Sequence, residues 1–184
     1  AALDSDEQLA RIHAIWGSGQ IARESVDAAE PLLALLDDAD PEIRAQAAKV
    51  IGDAAYQPAL QALLANLQHD NARVRFFAAQ ALGRLGNSDA TAPIVAMLKA
   101  NNDKDVYLRQ GGAIALARIG DVEALAALAD DPSEAVRVAA VVALRQLKSP
   151  ALADFLNDDS QFVVTNAARA INDDLFVDDA LPAL

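Results

Sequence analysis

Few side chains in this sequence could do covalent or metal chemistry, and their spacing argues against each case. The histidines are His13 and His69. They do not form the i, i+4 pair with which one helix face holds zinc. Ser, His and Asp are all present, but no nucleophile elbow or strand framework gathers them into a triad. There is no Cys, which excludes disulfides, thiolate zinc sites, thiol nucleophiles and Cys-x-x-Cys-His haem attachment within the chain. Carboxylates gather at Asp37-Asp38-Ala39-Asp40, Asn101-Asn102-Asp103-Lys104-Asp105 and Asn157-Asp158-Asp159. A calcium loop needs alternating oxygen ligands, a central Gly and a distal bidentate Glu. None of the three has that set, and they read as helix caps. No catalytic, metal-binding or cofactor-binding residue is nominated, and the chain is expected not to be an enzyme.

The regular chemistry is a repeated arginine. Arg11, Arg44, Arg75, Arg109 and Arg137 recur at intervals of about 30 residues, and Val164 holds the sixth place without the charge. With the Arg as position zero, Ala or Gly tends to follow at +3, a small or aliphatic residue at +4 and an apolar residue at +7. The stretch Asp70 to Gly86 is the clearest copy. At about 100° per residue, offsets −1, +3, +4 and +7 make one buried helix face, while +2, +5 and +9 point away from it.

The elements that carry this register are helices in pairs, here termed A (first) and B (second). B helices are predicted over residues 4–23, 40–55, 73–85, 105–119, 132–147 and 160–172. A helices are predicted over 25–36, 57–68, 89–100, 122–129 and 149–157, with the start of one more at 178–184. Asp40 caps its helix and Pro41 takes the first position. Gly86 and Gly120 are left-handed stops, and Asp131 is read as a cap. Asp27…Pro31, Asp89…Pro93 and Asp178…Pro182 repeat an Asp cap with Pro four residues on. Ala78, Ala79, Gly112 and Ala140 are placed at close helix contacts. The result is an all-α α-solenoid of antiparallel helix pairs spanning 1–184 as one domain, with the right-handed superhelix that the resemblance given below implies.

Composition agrees. Hydrophobic residues make up 53% and aromatics only 4%, so Ala supplies much of the apolar surface, as close helix-on-helix packing requires. No stretch reads as a signal peptide or a membrane-spanning helix. The chain opens Ala-Ala-Leu and starts and stops inside a repeat, so it is expected to be a piece of a longer protein. Net charge is −12, which disfavours nucleic-acid backbone and anionic membrane surfaces as partners. Leu9, Ile12 and Ile15 are expected to form a sticky N-terminal face, because the first B helix lacks its A partner. Self-association through the exposed ends follows from that.

The segments DPEIRAQAAKVIGDA, NARVRFFAAQALGRLG and DPSEAVRVAAVVALRQL resemble HEAT-type repeats, in particular the short bacterial HEAT-like kind found also in phycobilin lyases. The resemblance covers nearly the whole chain. It implies an Arg that reaches an Asp in a neighbouring turn, with Asp38, Asp40, Asp70, Asp105 and Asp131 as candidates, and B helices on the concave side. A narrower likeness joins Arg11-Ile12-His13-Ala14-Ile15-Trp16 and Ala168-Arg169-Ala170-Ile171-Asn172-Asp173 to the HEAT region of large exported bacterial proteins. Those proteins combine a dehydrogenase-like β-propeller with a cytochrome c. That likeness implies an accessory or linker domain of a periplasmic or exported redox protein. The lyase likeness implies bilin handling.

If the B helices line the groove, its residues are named by the outward columns. The +2 column reads His13, Gln46, Phe77, Gly111, Ala139, Asn166. The +5 column reads Trp16, Lys49, Gln80, Ile114, Val142, Arg169, and the +9 column Gln20, Asp53, Arg84, Arg118, Gln146, Asp173. Apolar Trp16, Phe77 and Ile114 stand where water favours polar groups, with His13, Lys49 and Gln80 among them. Arg84, Arg118 and Arg169, with Arg145 beside them at +8, are basic in an acidic chain. The expected function is a non-catalytic scaffold that docks a partner protein, or a neighbouring domain of its own chain, on these residues. An acidic and apolar segment is the expected occupant.

Overall fold

Local signals start and stop the long helices as the register requires. In the computed structural model, which describes residues 2–172 and 177–184, the helices are α1 (Gln8–Ala22), α2 (Pro41–Asp53), α3 (Leu60–Asn66), α4 (Ala72–Leu85), α5 (Thr91–Asn101), α6 (Val106–Ile119), α7 (Val122–Ala126), α8 (Glu134–Gln146) and α9 (Gln161–Ile171). No strand occurs among the described residues. The B helices are α1, α2, α4, α6, α8 and α9. Asp40, Asn71, Asp105 and Ser160 each accept backbone N–H groups at the start of one, satisfying donors the helix leaves free. At α8 the expected Asp131 cap is displaced. The N-cap is Ser133, and Asp131 Oδ1 accepts the Ser133 N–H from outside the helix at 2.8 Å.

The A elements differ from expectation. The segment predicted as a helix over 25–36 is two 3-10 pieces, Val26–Leu32 and Ala34–Asp37. Others are shortened α-helices with a 3-10 turn at one end (Gln57–Ala59 before α3, Ser88–Ala90 before α5, Ala127–Asp130 after α7), and Pro150–Phe155 and Asp178–Ala183 are 3-10 throughout. Pro31 and Pro182 lie inside such segments, where a missing N–H and a ring clash disfavour a continuous α-helix. The Asp…Pro device therefore does not cap. The N-caps of two segments are Ser25 and Val177, without side-chain cap bonds. At the third, Asn87 Oδ1 accepts the Asp89 N–H at 2.8 Å.

The described residues fall into two compact units, 1–90 and 91–184. In the first, α2 packs between α1 and α4, with α3 and the segments over 26–37 outside them. In the second, α8 packs between α6 and α9, with α5, α7 and Pro150–Phe155 outside. The buried face is the predicted one. Val74, Ala78, Ala79 and Leu82 are buried on α4, and Val136, Ala140, Val141 and Leu144 on α8. Gly112 is buried against Leu98. The closest approach is at Gly52, where an added Cβ would lie 2.6 Å from Ala81 Cα. The N-terminal face is corrected. Ile12 and Ile15 are buried, because α1 turns them onto α2 and Val26–Leu32. Leu9 is 69% exposed.

A second column, at +11, closes the B helices. Ala55, Gly86, Gly120 and Lys148 all have positive φ (52°, 69°, 75° and 51°). Gly86 and Gly120 end their helices with one bond to the carbonyl four residues back. At Ala55 and Lys148 the following residue bonds five back, Tyr56 to Ile51 and Ser149 to Leu144, the Schellman arrangement.

The repeated Arg links turns. Arg11 pairs with Asp38 and also donates to the Leu3 carbonyl at 2.9 Å. Arg44 Nη2 meets Asp37 at 3.0 Å, and its Nη1 meets Asn66 Oδ1 of the next repeat at 3.2 Å. Arg137 holds Asp158 with two bonds, Nε–Oδ2 at 2.6 Å and Nη2–Oδ1 at 3.0 Å, and the Asp131 carbonyl at 2.8 Å. Arg109 lies 3.7 Å from Asp103. Arg75 departs from the rule. It donates to the carbonyls of His69 and Asp70, at 2.6 and 2.8 Å. The Asp40 and Asp105 carboxylates cap helices instead of receiving the ladder. Hydrogen bonding from Arg11 holds the Asp38 carboxyl below its ordinary value, against an opposing effect of burial. At Asp158 burial pushes upward most strongly. The Arg137 hydrogen bond, the Ser160 N–H and the Arg137 charge together outweigh it, and this carboxyl too lies below its ordinary value.

Four substitutions test this packing. Gly52→Ala gains helix propensity of about 1 kcal/mol but drives Cβ into backbone, so urea unfolding should show a net loss of about 1–2 kcal/mol. Ala55→Gly removes a left-handed strain of about 1–2 kcal/mol and returns part of it as unfolded-chain entropy, so the same measurement should show a gain of roughly 0.5–1 kcal/mol. Arg137→Ala strands Asp158, whose side chain is 4% exposed, and should cost about 3–5 kcal/mol. Arg75→Ala should cost only about 1–2 kcal/mol. Because the Asp158 carboxyl is depressed when folded, its contribution is complete above the ordinary value of 3.8 and is lost as pH falls through the folded value. The stability gap between the native chain and Arg137→Ala should narrow on acidification below that point.

Candidate protein-docking groove

The B helices of the first unit leave a groove of about 480 Å³ between α1, α2 and α4. Ile12 and Ile15 face inward, so Trp16 at +5 is left 45% exposed at the rim. Its ring stands edge-on to His13, with centroids 5.4 Å apart. The Trp16 Nε1–H donates to Gln46 Oε1 at 2.9 Å. Gln46 Nε2 donates to Glu42 Oε1 at 2.6 Å. Glu42 in turn accepts from Arg73 Nε at 2.7 Å and Nη2 at 3.1 Å. The Arg73 guanidinium sits 4.9 Å from the centre of the Phe77 ring. One chain of contacts thus runs across three helices and fixes two aromatic rings at the groove.

A second line of polar contacts lies farther along the same helices. Lys49 Nζ meets Asp53 Oδ2 at 2.9 Å, and Arg84 Nε meets Asp53 Oδ1 at 3.2 Å. Asp53 therefore serves two cations. Arg23, exposed at the end of α1, also lines the groove.

The structure brings His13, Trp16, Lys49, Phe77 and Arg84 onto this face of the first unit. Gln80 is different. It is only 8% exposed, so it belongs to the packing and not to an open surface. The +2 column is more buried than expected, with Gln46, Gly111 and Ala139 all inside, because +2 lies toward the seam between adjacent B helices. In the second unit Ile114 and Arg145 are partly buried, while Arg118 and Arg169 are exposed. Arg169 borders an open cleft of about 450 Å³ with Asn172 and Leu184. Asp173 lies outside the described residues. Sequence reasoning missed Glu42 and Arg73. Both stand at −2 in adjacent repeats with opposite charges, a signal that an offset table over charged residues would have shown.

What this arrangement offers is positioned apolar and charged groups. The acidic turns are engaged elsewhere, Asp38 and Asp158 with arginines and Asp40 and Asp105 at helix starts. Among the described residues no helix is long and apolar enough to cross a membrane.

Comparison with solved structures finds helical-repeat folds. A designed armadillo repeat protein in complex with the peptide (KR)4 superposes with a TM-score of 0.59 at 23% identity, over 92% of this chain and 95% of that one. The complex of CpcE and CpcF of phycocyanin lyase from Nostoc sp. PCC7120 gives a TM-score of 0.64 at 24% identity, over 92% and 73%. A HEAT-like repeats protein from Thermococcus onnurineus NA1 gives 0.60 at 18%, over 91% and 76%. At these identities the likeness is one of fold. No curated protein sequence matches the chain. The family model for HEAT repeats matches residues 1–75, 29–107, 60–130 and 100–172. Those overlapping matches cover the repeats whose Arg register and buried faces are described above, and the chain belongs to the HEAT-repeat family.

Proposed function

We propose that the chain is a non-catalytic scaffold that docks another protein, or a neighbouring domain of its own chain, on its B-helix face. The observation that carries this reading is Trp16. A large apolar ring stands 45% exposed and is held in one place by Gln46, itself buried and fixed by Glu42. Trp and Arg are the types that most often dominate interface energy, and Trp contributes most when an occupant completes its burial. Preorganising the ring removes part of the ordering cost of association. The peptide held by the designed armadillo neighbour supports a repeat surface as a docking platform. The lyase neighbour supports the fold and brings no bilin chemistry to these residues.

The test is site-specific photo-crosslinking in cells that make the protein. A benzophenone amino acid would replace Gln20 or Arg169 on the B side, and Glu30 or Glu123 on the A side, all exposed. A B-side position should give a discrete protein adduct that the A-side positions do not. Adducts from the A side alone, equal adducts from both sides, or none at all would overturn the reading.

A further inference from the structure

The groove of the first unit has a charge opposite to its surroundings. Residues 1–90 carry thirteen carboxylates against seven cations. Yet the groove lining holds Arg23, Lys49 and Arg73 against the single carboxylate of Asp53. That carboxylate is already engaged by Lys49 and Arg84. Glu42, which is not among the lining residues, is committed to Arg73 through two bonds. Positive potential is therefore concentrated in a recess with apolar walls, where it is screened less than on an open surface.

We propose that this groove takes an acidic segment of a protein partner with an apolar side chain between its carboxylates. The apolar side chain lies between Trp16 and Phe77, and the flanking carboxylates meet Lys49 and Arg23. The proposal rests on the scaffold reading and specifies the occupant. The chemistry selects a peptide acid over a nucleic acid, because a long phosphate chain leaving the groove would run onto the acidic remainder of the unit. It also selects the opposite sign from the (KR)4 peptide of the armadillo neighbour, which makes that peptide a useful control.

Trp16 is the sole tryptophan of the chain, so its emission reports on the groove directly. The full chain would be titrated with the synthetic peptides (EL)4, (EG)4 and (KR)4 at low and physiological salt. Saturable change with (EL)4 is expected, at an affinity roughly tenfold or more above both controls, a difference of about 1.4 kcal/mol, and weakening with salt. Arg23→Glu with Lys49→Glu alters one exposed and one half-exposed side chain and should keep the unfolding midpoint, because exposed pairs contribute little to stability, while abolishing the preference for (EL)4 over (KR)4. No saturable response, equal binding of (KR)4, or an unchanged preference in the double variant would overturn the proposal. Sedimentation of the free chain adds one more arm. A dimer lost in the double variant would mean that a second copy occupies the groove, and would also overturn it. Failure of the peptides while Gln20 still cross-links on the B side would defeat only the acidic occupant. Loss of all B-side cross-links would defeat the scaffold itself.

Discussion

The rest of the first unit depends on how closely α2 and α4 approach. Gly52 leaves room for the Ala81 backbone, and the surrounding Ala45, Ala47, Ala48, Ala78 and Ala79 are all fully buried. Residues this small let helix axes approach to the short end of the usual 8–10 Å. The second unit uses the same device differently, with Gly112 receiving the Leu98 side chain from α5. Cohesion here is spread over many small contacts. No single large side chain dominates it, which is how a repeat protein with 4% aromatics stays packed.

Close approach also decides which polar groups can meet. Glu42 and Arg73 hold the same register in successive repeats, so shortening the distance between α2 and α4 brings them into two-bond contact. The same step sets Asp53 within reach of Arg84. The ladder Arg works at the other end of each B helix, binding the turn before its own helix and, in Arg11, Arg44 and Arg137, the turn of the next repeat. Arg suits that position because its planar fork serves a carboxylate and a carbonyl at once. Packing sets the distance between neighbouring B helices, and the forks set the register of the turns.

Much of this was legible in the sequence, and the parts that were not share physical causes. The face at −1, +3, +4 and +7 follows from helical periodicity and holds on α2, α4, α6 and α8. The stops at Gly86 and Gly120 were readable because Gly is the residue expected at positive φ. Ala55 and Lys148 adopt the same conformation without that composition signal, forced by Schellman bonds that only the folded chain makes. The A segments differ from continuous helices because apolar spacing does not separate short α from 3-10 turns, and Pro31 and Pro182 lie inside two of the 3-10 segments. Of the site, Trp16 and Phe77 were legible as apolar residues on an outward column. The burial of Gln80 and Gln46 was not, because polar type alone predicts exposure and both lie toward a seam.

The distribution of charge then bears on function. The chain is strongly acidic, but in the turns that order its repeats the acid is largely bound, in caps and in pairs with the ladder arginines. The depressed Asp38 and Asp158 carboxyls record how tightly it is held. Such carboxylates offer little to a partner, because engaging them means breaking contacts that already stabilise the fold. On the B side of the first unit the pairs are half-exposed, as in Lys49 with Asp53 and Arg73 with Glu42. Exposed pairs of this kind contribute little to stability, so rearranging one costs little. The groove therefore holds ion pairs that can rearrange at low cost, beside an aromatic ring left 45% exposed.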